Sequence, residues 1–145
     1  MIKLNFGALA DNAHVDASGK LYILGEFRYI LAPTVPARHG HLAVVARWTA
    51  TTSELDKTHS LEVEIVDQDG SAIIPRSPRI EFKFAPIGPA AHGEVQAQIV
   101  LQMDGLLLPK FGNHAINFWV DGVTAGRIPF FVTQLPPGQT APNVT

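Results

Sequence analysis

The stretch Leu61-Glu62-Val63-Glu64-Ile65-Val66-Asp67-Gln68-Asp69-Gly70 decides the fold class. Leu61, Val63 and Ile65 alternate with Glu62 and Glu64, so an extended chain puts three apolar side chains on one face and two carboxylates on the other. A helix would scatter the same residues around its circumference. The run ends on Asp67-Gln68-Asp69-Gly70, whose Asp-Gly step suits the left-handed backbone of a tight turn. Ser71 to Ile74 then return beside the first strand before Pro75 stops them. The local unit is a β-hairpin.

The same period of two extends in both directions. The polar turn Asp16-Ala17-Ser18-Gly19 joins a first strand, ending at Val15, to a second. In that second strand Leu21, Ile23, Gly25, Phe27 and Tyr29 share one face, and Tyr22, Leu24, Glu26, Arg28 and Ile30 the other. Leu42, Val44, Ala46 and Trp48 alternate with Ala43, Val45, Arg47 and Thr49, and two apolar faces predict a central, covered strand. Ile80, Phe82 and Phe84 follow Pro78. Val95, Ala97, Ile99 and Leu101 alternate with Gln96, Gln98, Val100 and Gln102. Ile116, Phe118 and Val120 run to a second turn signal at Asp121-Gly122, and Ile128, Phe130 and Val132 close the set. Eight or nine short strands between Gly- and Pro-rich turns predict an all-β sandwich or barrel. Thr52 to Ser60 has room for one helical turn. Residues 1–135 read as one domain and 136–145 as a Pro-rich tail that cannot bury a core.

Composition narrows the function classes. The chain has 145 residues, 46% of them apolar and only 17% charged, against about 25% charged in soluble proteins. This excludes a disordered chain, which needs low hydrophobicity and high charge. Eleven Lys and Arg against thirteen Asp and Glu give no basic footprint for nucleic acid. No cysteine is present, so thiol nucleophiles, disulfides and zinc ribbons are excluded. No apolar run approaches the roughly 20 residues of a spanning helix, and Met1 to His14 alternates rather than forming a secretory leader. The expectation is an unprocessed, cytoplasmic chain without a membrane partner or cofactor.

His39-Gly40-His41 is the best local metal candidate, because positions i and i+2 of a strand face one way and can chelate together. A third ligand would come from His14, His59, His92, His114 or a nearby Asp. The alternative is a pair of solvent-facing histidines at a strand entrance. Asp67-Gln68-Asp69-Gly70 opens like a calcium loop, but its twelfth position is Pro78, which has no ligating side chain. Neither Gly-x-Ser-x-Gly nor a phosphate-cradling glycine loop occurs. Glu62 and Glu64 share a wet face, where like charges serve solubility. No catalytic motif emerges.

Partner signals are stronger. If Ile116, Phe118 and Val120 point inward, Trp119 points out, and by the same parity Phe131 points out beside Pro129. A hairpin across Val123 to Arg127 would set Trp119 and Phe131 on one outer surface, open to a partner or covered by the tail. Gln96, Gln98 and Gln102 form a neutral polar row suited to a second contact face or to solvent.

Three segments together resemble a family of small, uncharacterised bacterial proteins catalogued only as a domain of unknown function. The first is Leu9-Ala10-Asp11, then Gly19-Lys20-Leu21-Tyr22-Ile23-Leu24-Gly25-Glu26-Phe27 and the step from Pro33 to Pro36. The second is His59 leading into Leu61 to Gly70. The third comprises Pro109 and Gly112, then Val120-Asp121-Gly122 and Ile128-Pro129-Phe130. The resemblance implies an immunoglobulin-like or related antiparallel sandwich and no assigned activity. One departure stands at Gly112-Asn113-His114, where the pattern has Gly-x-Tyr. A tyrosine there ties the corner to upstream backbone, and a ring nitrogen of His114 is able to make a similar bond.

These readings combine into a binding or assembly module, self-associating or docking on another protein through outer faces and edge strands. Two alternatives remain open. One is a carbohydrate-binding sandwich with Trp119, Trp48 or Tyr22 as stacking platform; the other is a metal-dependent enzyme at His39 and His41.

Overall fold

Alternating apolar side chains build two facing sheets in the computed structural model, which describes residues 1–87, 93–136 and 138. The strands are β1 (Lys3–Val15), β2 (Leu21–Phe27), β3 (Tyr29–Ala32), β4 (Ala37–Thr51), β5 (His59–Val66), β6 (Ala72–Ile74), β7 (Ile80–Phe82), β8 (Ala85–Pro86), β9 (Glu94–Leu108), β10 (Gly112–Val120) and β11 (Val123–Gln134). A single 3-10 turn, Thr52–Glu54, follows β4. One sheet has the order β2-β1-β4-β9-β8; the other runs β3-β11-β10-β5-β6, with β7 also paired to β5. The arrangement is all-β and sandwich-like. It is not wholly antiparallel, because β3 runs parallel to β11.

The strand count exceeds the expected eight or nine because Arg28 splits one predicted strand. Leu21–Phe27 belongs to the first sheet and Tyr29–Ala32 to the second. β4 is the central strand its two apolar faces predict, with Val44 and Val45 both buried. Trp48, Phe118 and Phe130 are the largest fully buried side chains, and Trp48 meets Phe118 edge-on with centroids 5.6 Å apart. The β5–β6 hairpin forms as read, with the Asp67 carboxylate accepting the amides of Asp69 and Ser71 at 2.9 and 3.0 Å. Asp121 and Gly122 take φ of 52° and 81°, the left-handed pair of a two-residue hairpin turn. The chain therefore re-enters a strand at Val123 rather than looping to Arg127, and Val120 pairs directly with Val123.

Alternation fails along one line across the first sheet. On β9, Ile99, Leu101 and Met103 pack on the main core, and then Leu106 and Leu108 do so. The shift by one falls at Gly105, whose φ is +64°. On β4 the core-facing series Leu42, Val44, Ala46 and Trp48 likewise shifts beyond Gly40, so that His39 lies opposite Leu106. On β2 the break is Gly25, at φ +69°, where a Cβ would stand 2.5 Å from a carboxylate oxygen of Asp11. A residue in the left-handed region rotates the pleat, so later side chains exchange faces. Leu21 and Ile23 consequently do not share a face with Phe27. They pack with Ala13, Ala43, Val45 and Val100 in a satellite cluster, while Phe27 packs on the main core. The β1–β2 hairpin beyond this crease lies over the outer face of β4 and β9.

The two sheets approach most closely where β1 meets β11. A Cβ on Gly126 would lie 2.8 Å from Leu4 Cδ2 and 3.0 Å from Leu4 Cβ. Gly126→Val is expected to destabilise the fold by about 1–3 kcal/mol through overpacking. Urea unfolding of the variant, with its midpoint lowered and its slope unchanged, checks this.

Candidate functional site

The crease sends His39 and His41 to opposite faces, which corrects the expectation of a chelating pair. His39 is turned inward and only 4% exposed, and its ring packs 5.6 Å from that of Phe27. His41 remains outside, with Nδ1 2.6 Å from Asp104 Oδ1 and Nε2 2.8 Å from Gln102 Oε1. The Asp104 hydrogen bond raises the His41 pKa. Among the described residues no three His, Cys, Asp or Glu side chains gather to hold a metal ion. His92 lies outside the described residues.

The glutamine row is a floor under the β1–β2 hairpin. Gln98 Nε2 donates to the Gly19 carbonyl at 2.7 Å and Gln102 Nε2 to the Ala13 carbonyl at 3.0 Å. Arg47 donates twice to Gln98 Oε1, at 3.1 and 3.0 Å. Gln96 is half-buried opposite Thr49 on one side and Ala85 on the other. The hairpin is closed by Asp16, whose Oδ1 accepts the Ser18 amide, the Ser18 hydroxyl and the Lys20 amide at 2.8, 2.7 and 3.0 Å.

Trp119 and Phe131 lie on the same outer face but do not form one patch. Trp119 pairs with Thr124, whereas Phe131 pairs with Asn113, six residues and roughly 20 Å further along β10 at the usual strand rise. The Trp119 face is covered by Arg76, whose guanidinium carbon sits 4.2 Å from the ring centroid while Nε donates to Glu62 at 2.7 Å. The C-terminal tail from Gly138's neighbours onward, 137 and 139–145, lies outside the described residues. Phe131 remains exposed, and its neighbour is Tyr29, its register partner on β3. Trp48 is fully buried and offers no stacking face; Tyr22 already stacks on His14 at 4.8 Å.

What gathers instead is a seam between sheet edges. The chain leaves edge strand β2, crosses at Arg28 and enters edge strand β3, with the Arg28 carbonyl accepting the Phe131 amide at 2.9 Å. Tyr22, Leu24, Tyr29 and Phe131 are all exposed along it. Beside the crossing is a cavity of about 360 Å³, lined by Asp11, Gly25, Glu26, Phe27, Tyr29, Ile30, Leu31 and His39. Neither ring nitrogen of His39 has a hydrogen-bond partner. Burial lowers its pKa, and the His41 backbone and Asp11 oppose this only in part, so the ring is neutral at pH 7. Sequence parity alone placed His39 with His41 and so missed this pocket; the glycines at 25, 40 and 105 were the available signal.

Two other histidines serve the fold. His59, buried against Phe82 and Phe84, contacts Asp121 Oδ2 through Nδ1 at 2.6 Å. Its Nε2 stands 3.2 Å from Glu54 Oε2 without hydrogen-bond alignment. Burial would raise the Asp121 pKa, but His59 and the Ser60 amide outweigh it and hold the group low. These contacts pin the 3-10 turn and the β10–β11 turn to β5. His114 is buried, and its Nδ1 pairs with the Gly112 carbonyl at 3.0 Å, which supplies the local tie expected at that corner.

Two outcomes follow. Ser18 and the Lys20 amide hold Asp16 at a pKa of about 2 against an ordinary 3.8. A depressed carboxylate stabilises the hairpin fully above 3.8, and that contribution vanishes as pH falls through about 2. The amide proton shifts of Ser18 and Lys20 should therefore titrate with a midpoint near 2, a step that Asp16→Asn abolishes. Second, His39→Leu should raise stability by about 1–3 kcal/mol in urea unfolding, since it removes buried polar atoms that lack partners.

No curated protein matches the chain. Among solved structures, it is similar to Pseudomonas fluorescens alkylpurine DNA glycosylase AlkC bound to DNA containing an abasic site analog, at 13% identity and a TM-score of 0.48. The match covers 91% of this chain but only 30% of that one, and likeness at this level carries no functional argument. The family comparison is specific: residues 5–133 match the family of unknown function DUF6941, and the chain belongs to that family.

Proposed function

We propose that the chain is a non-catalytic assembly module that pairs with a second copy of itself along the open edge of β2. The observation that carries this reading is the edge itself. β2 is the outermost strand of its sheet, contains no proline, and leaves Leu24 64% exposed beside an exposed Tyr22. An edge strand presents unpaired backbone groups to any chain that can align with it.

The sequence of β2 is self-complementary in the antiparallel sense. A two-fold axis through Ile23 sets Tyr22 opposite Leu24 of the second copy and Lys20 opposite Glu26, each contact made twice. Opposite charges directly across a strand pair are favourable, and like charges are not. Gly25, with its positive φ, limits regular pairing to one short register, which favours a defined dimer over an open-ended ribbon. Phe131 and Tyr29 flank the seam and extend the contact. Gln96, Gln98 and Trp119 contribute less, being held beneath the hairpin or beneath Arg76. An immunoglobulin-like assignment of the sandwich belongs to the same proposal and is supported by its hairpins and by the His114 corner. The carbohydrate alternative loses support from the burial of Trp48 and the covering of Trp119.

Lys20→Glu turns two attractive pairs into two repulsive ones, a change of about 1–2 kcal/mol. Sedimentation equilibrium should show dimerisation weakened roughly 5- to 30-fold in Lys20→Glu and in Glu26→Lys, and restored in the double reversal. A wild-type chain that stays monomeric into the high micromolar range, or a double reversal no better than the singles, contradicts the proposal.

A further inference from the structure

The cavity beside the β2–β3 crossing has a chemistry that the pairing of β2 does not use. Its volume, about 360 Å³, lies within the roughly 300–1,000 Å³ of small-molecule sites. Two of its lining groups, Asp11 and Glu26, are carboxylates, and two, Phe27 and Tyr29, are aromatic rings. None of the lining residues is Lys or Arg. Arg28 Nε comes no nearer than 4.0 Å to Glu26 Oε1, from a side chain that is 82% exposed to solvent. His39 forms the inner wall, nine-tenths buried and with both nitrogens unpartnered.

A neutral imidazole has one N–H donor and one lone-pair acceptor, and the fold satisfies neither. Such groups normally find partners inside proteins, and an exception calls for an explanation. A ligand donating N–H to the free imidazole nitrogen supplies one. A ligand that is also positively charged gains from the two carboxylates and from the π-faces of Phe27 and Tyr29. We propose that this cavity binds the ammonium group of a small organic amine, with His39 as acceptor and Asp11 and Glu26 as counter-charges. A bare metal ion fits less well, because the described residues offer no set of three metal ligands.

The test uses the full chain and n-butylammonium as probe, with n-butanol as the uncharged analogue of the same shape. Imidazole ¹H–¹⁵N spectra should show a saturable shift of the His39 ring with butylammonium, and binding at least about tenfold weaker with butanol, which lacks the charge. Asp11→Asn, whose fold is verified by circular dichroism, should weaken butylammonium about tenfold while leaving sedimentation unchanged, since Asp11 is not on β2. Non-saturating shifts, equal response to amine and alcohol, or full affinity in Asp11→Asn would overturn the proposal whatever the oligomeric state.

Discussion

The crease in the five-stranded sheet is the constraint on which the rest of the molecule depends. A strand of L-residues alternates faces without exception until some residue leaves the extended region. Gly25 and Gly105 do so, and Gly40 stands across from Gly105, so the exchange of faces runs through β2, β4 and β9 together. On one side of this line the sheet packs its regular face on the main core. Beyond it the β1–β2 hairpin turns over the opposite face, and His39 turns inward. At Gly25 the requirement is double, because both the backbone angle and the carboxylate of Asp11 exclude a side chain.

This bend accounts for the low charge content. A two-sheet domain normally keeps its outer faces polar, yet Ala10, Ala43 and Val45 lie on an outer face and are fully buried. They are covered by Ala13, Leu21 and Ile23 from the chain's own hairpin, and the glutamines around them bond to its backbone. Part of the apparent surplus of apolar surface is thus satisfied internally. What remains exposed concentrates at the β2–β3 seam, where the sheet ends and the chain crosses between layers.

The sequence made the strands legible because burial on one face imposes period two, and Leu61 to Gly70 reads as a hairpin without further information. The central position of β4 was also legible, since two apolar faces demand two covers. The site was not. His39 and His41 are related by parity in any regular strand, and only a backbone angle three-dimensional in origin separates them. Trp119 and Phe131 have the outward parity assigned to them, but distance along a strand and the reach of Arg76 are set by register and tertiary packing. The split at Arg28 was hidden because Leu21 to Ile30 alternates continuously even as it passes from one sheet to the other.

Folding and recognition meet at the same line. The bend that covers one face of the sheet leaves β2 as a free edge and encloses a cavity around an unsatisfied histidine. Methyl and aromatic nuclear Overhauser contacts in solution test that geometry most directly. The account predicts contacts from Ile23 to Val45 and Val100 together with contacts from the His39 ring to Phe27 and Leu106. Contacts placing Ile23 and Phe27 on one common face, with the His39 and His41 rings adjacent, would contradict it.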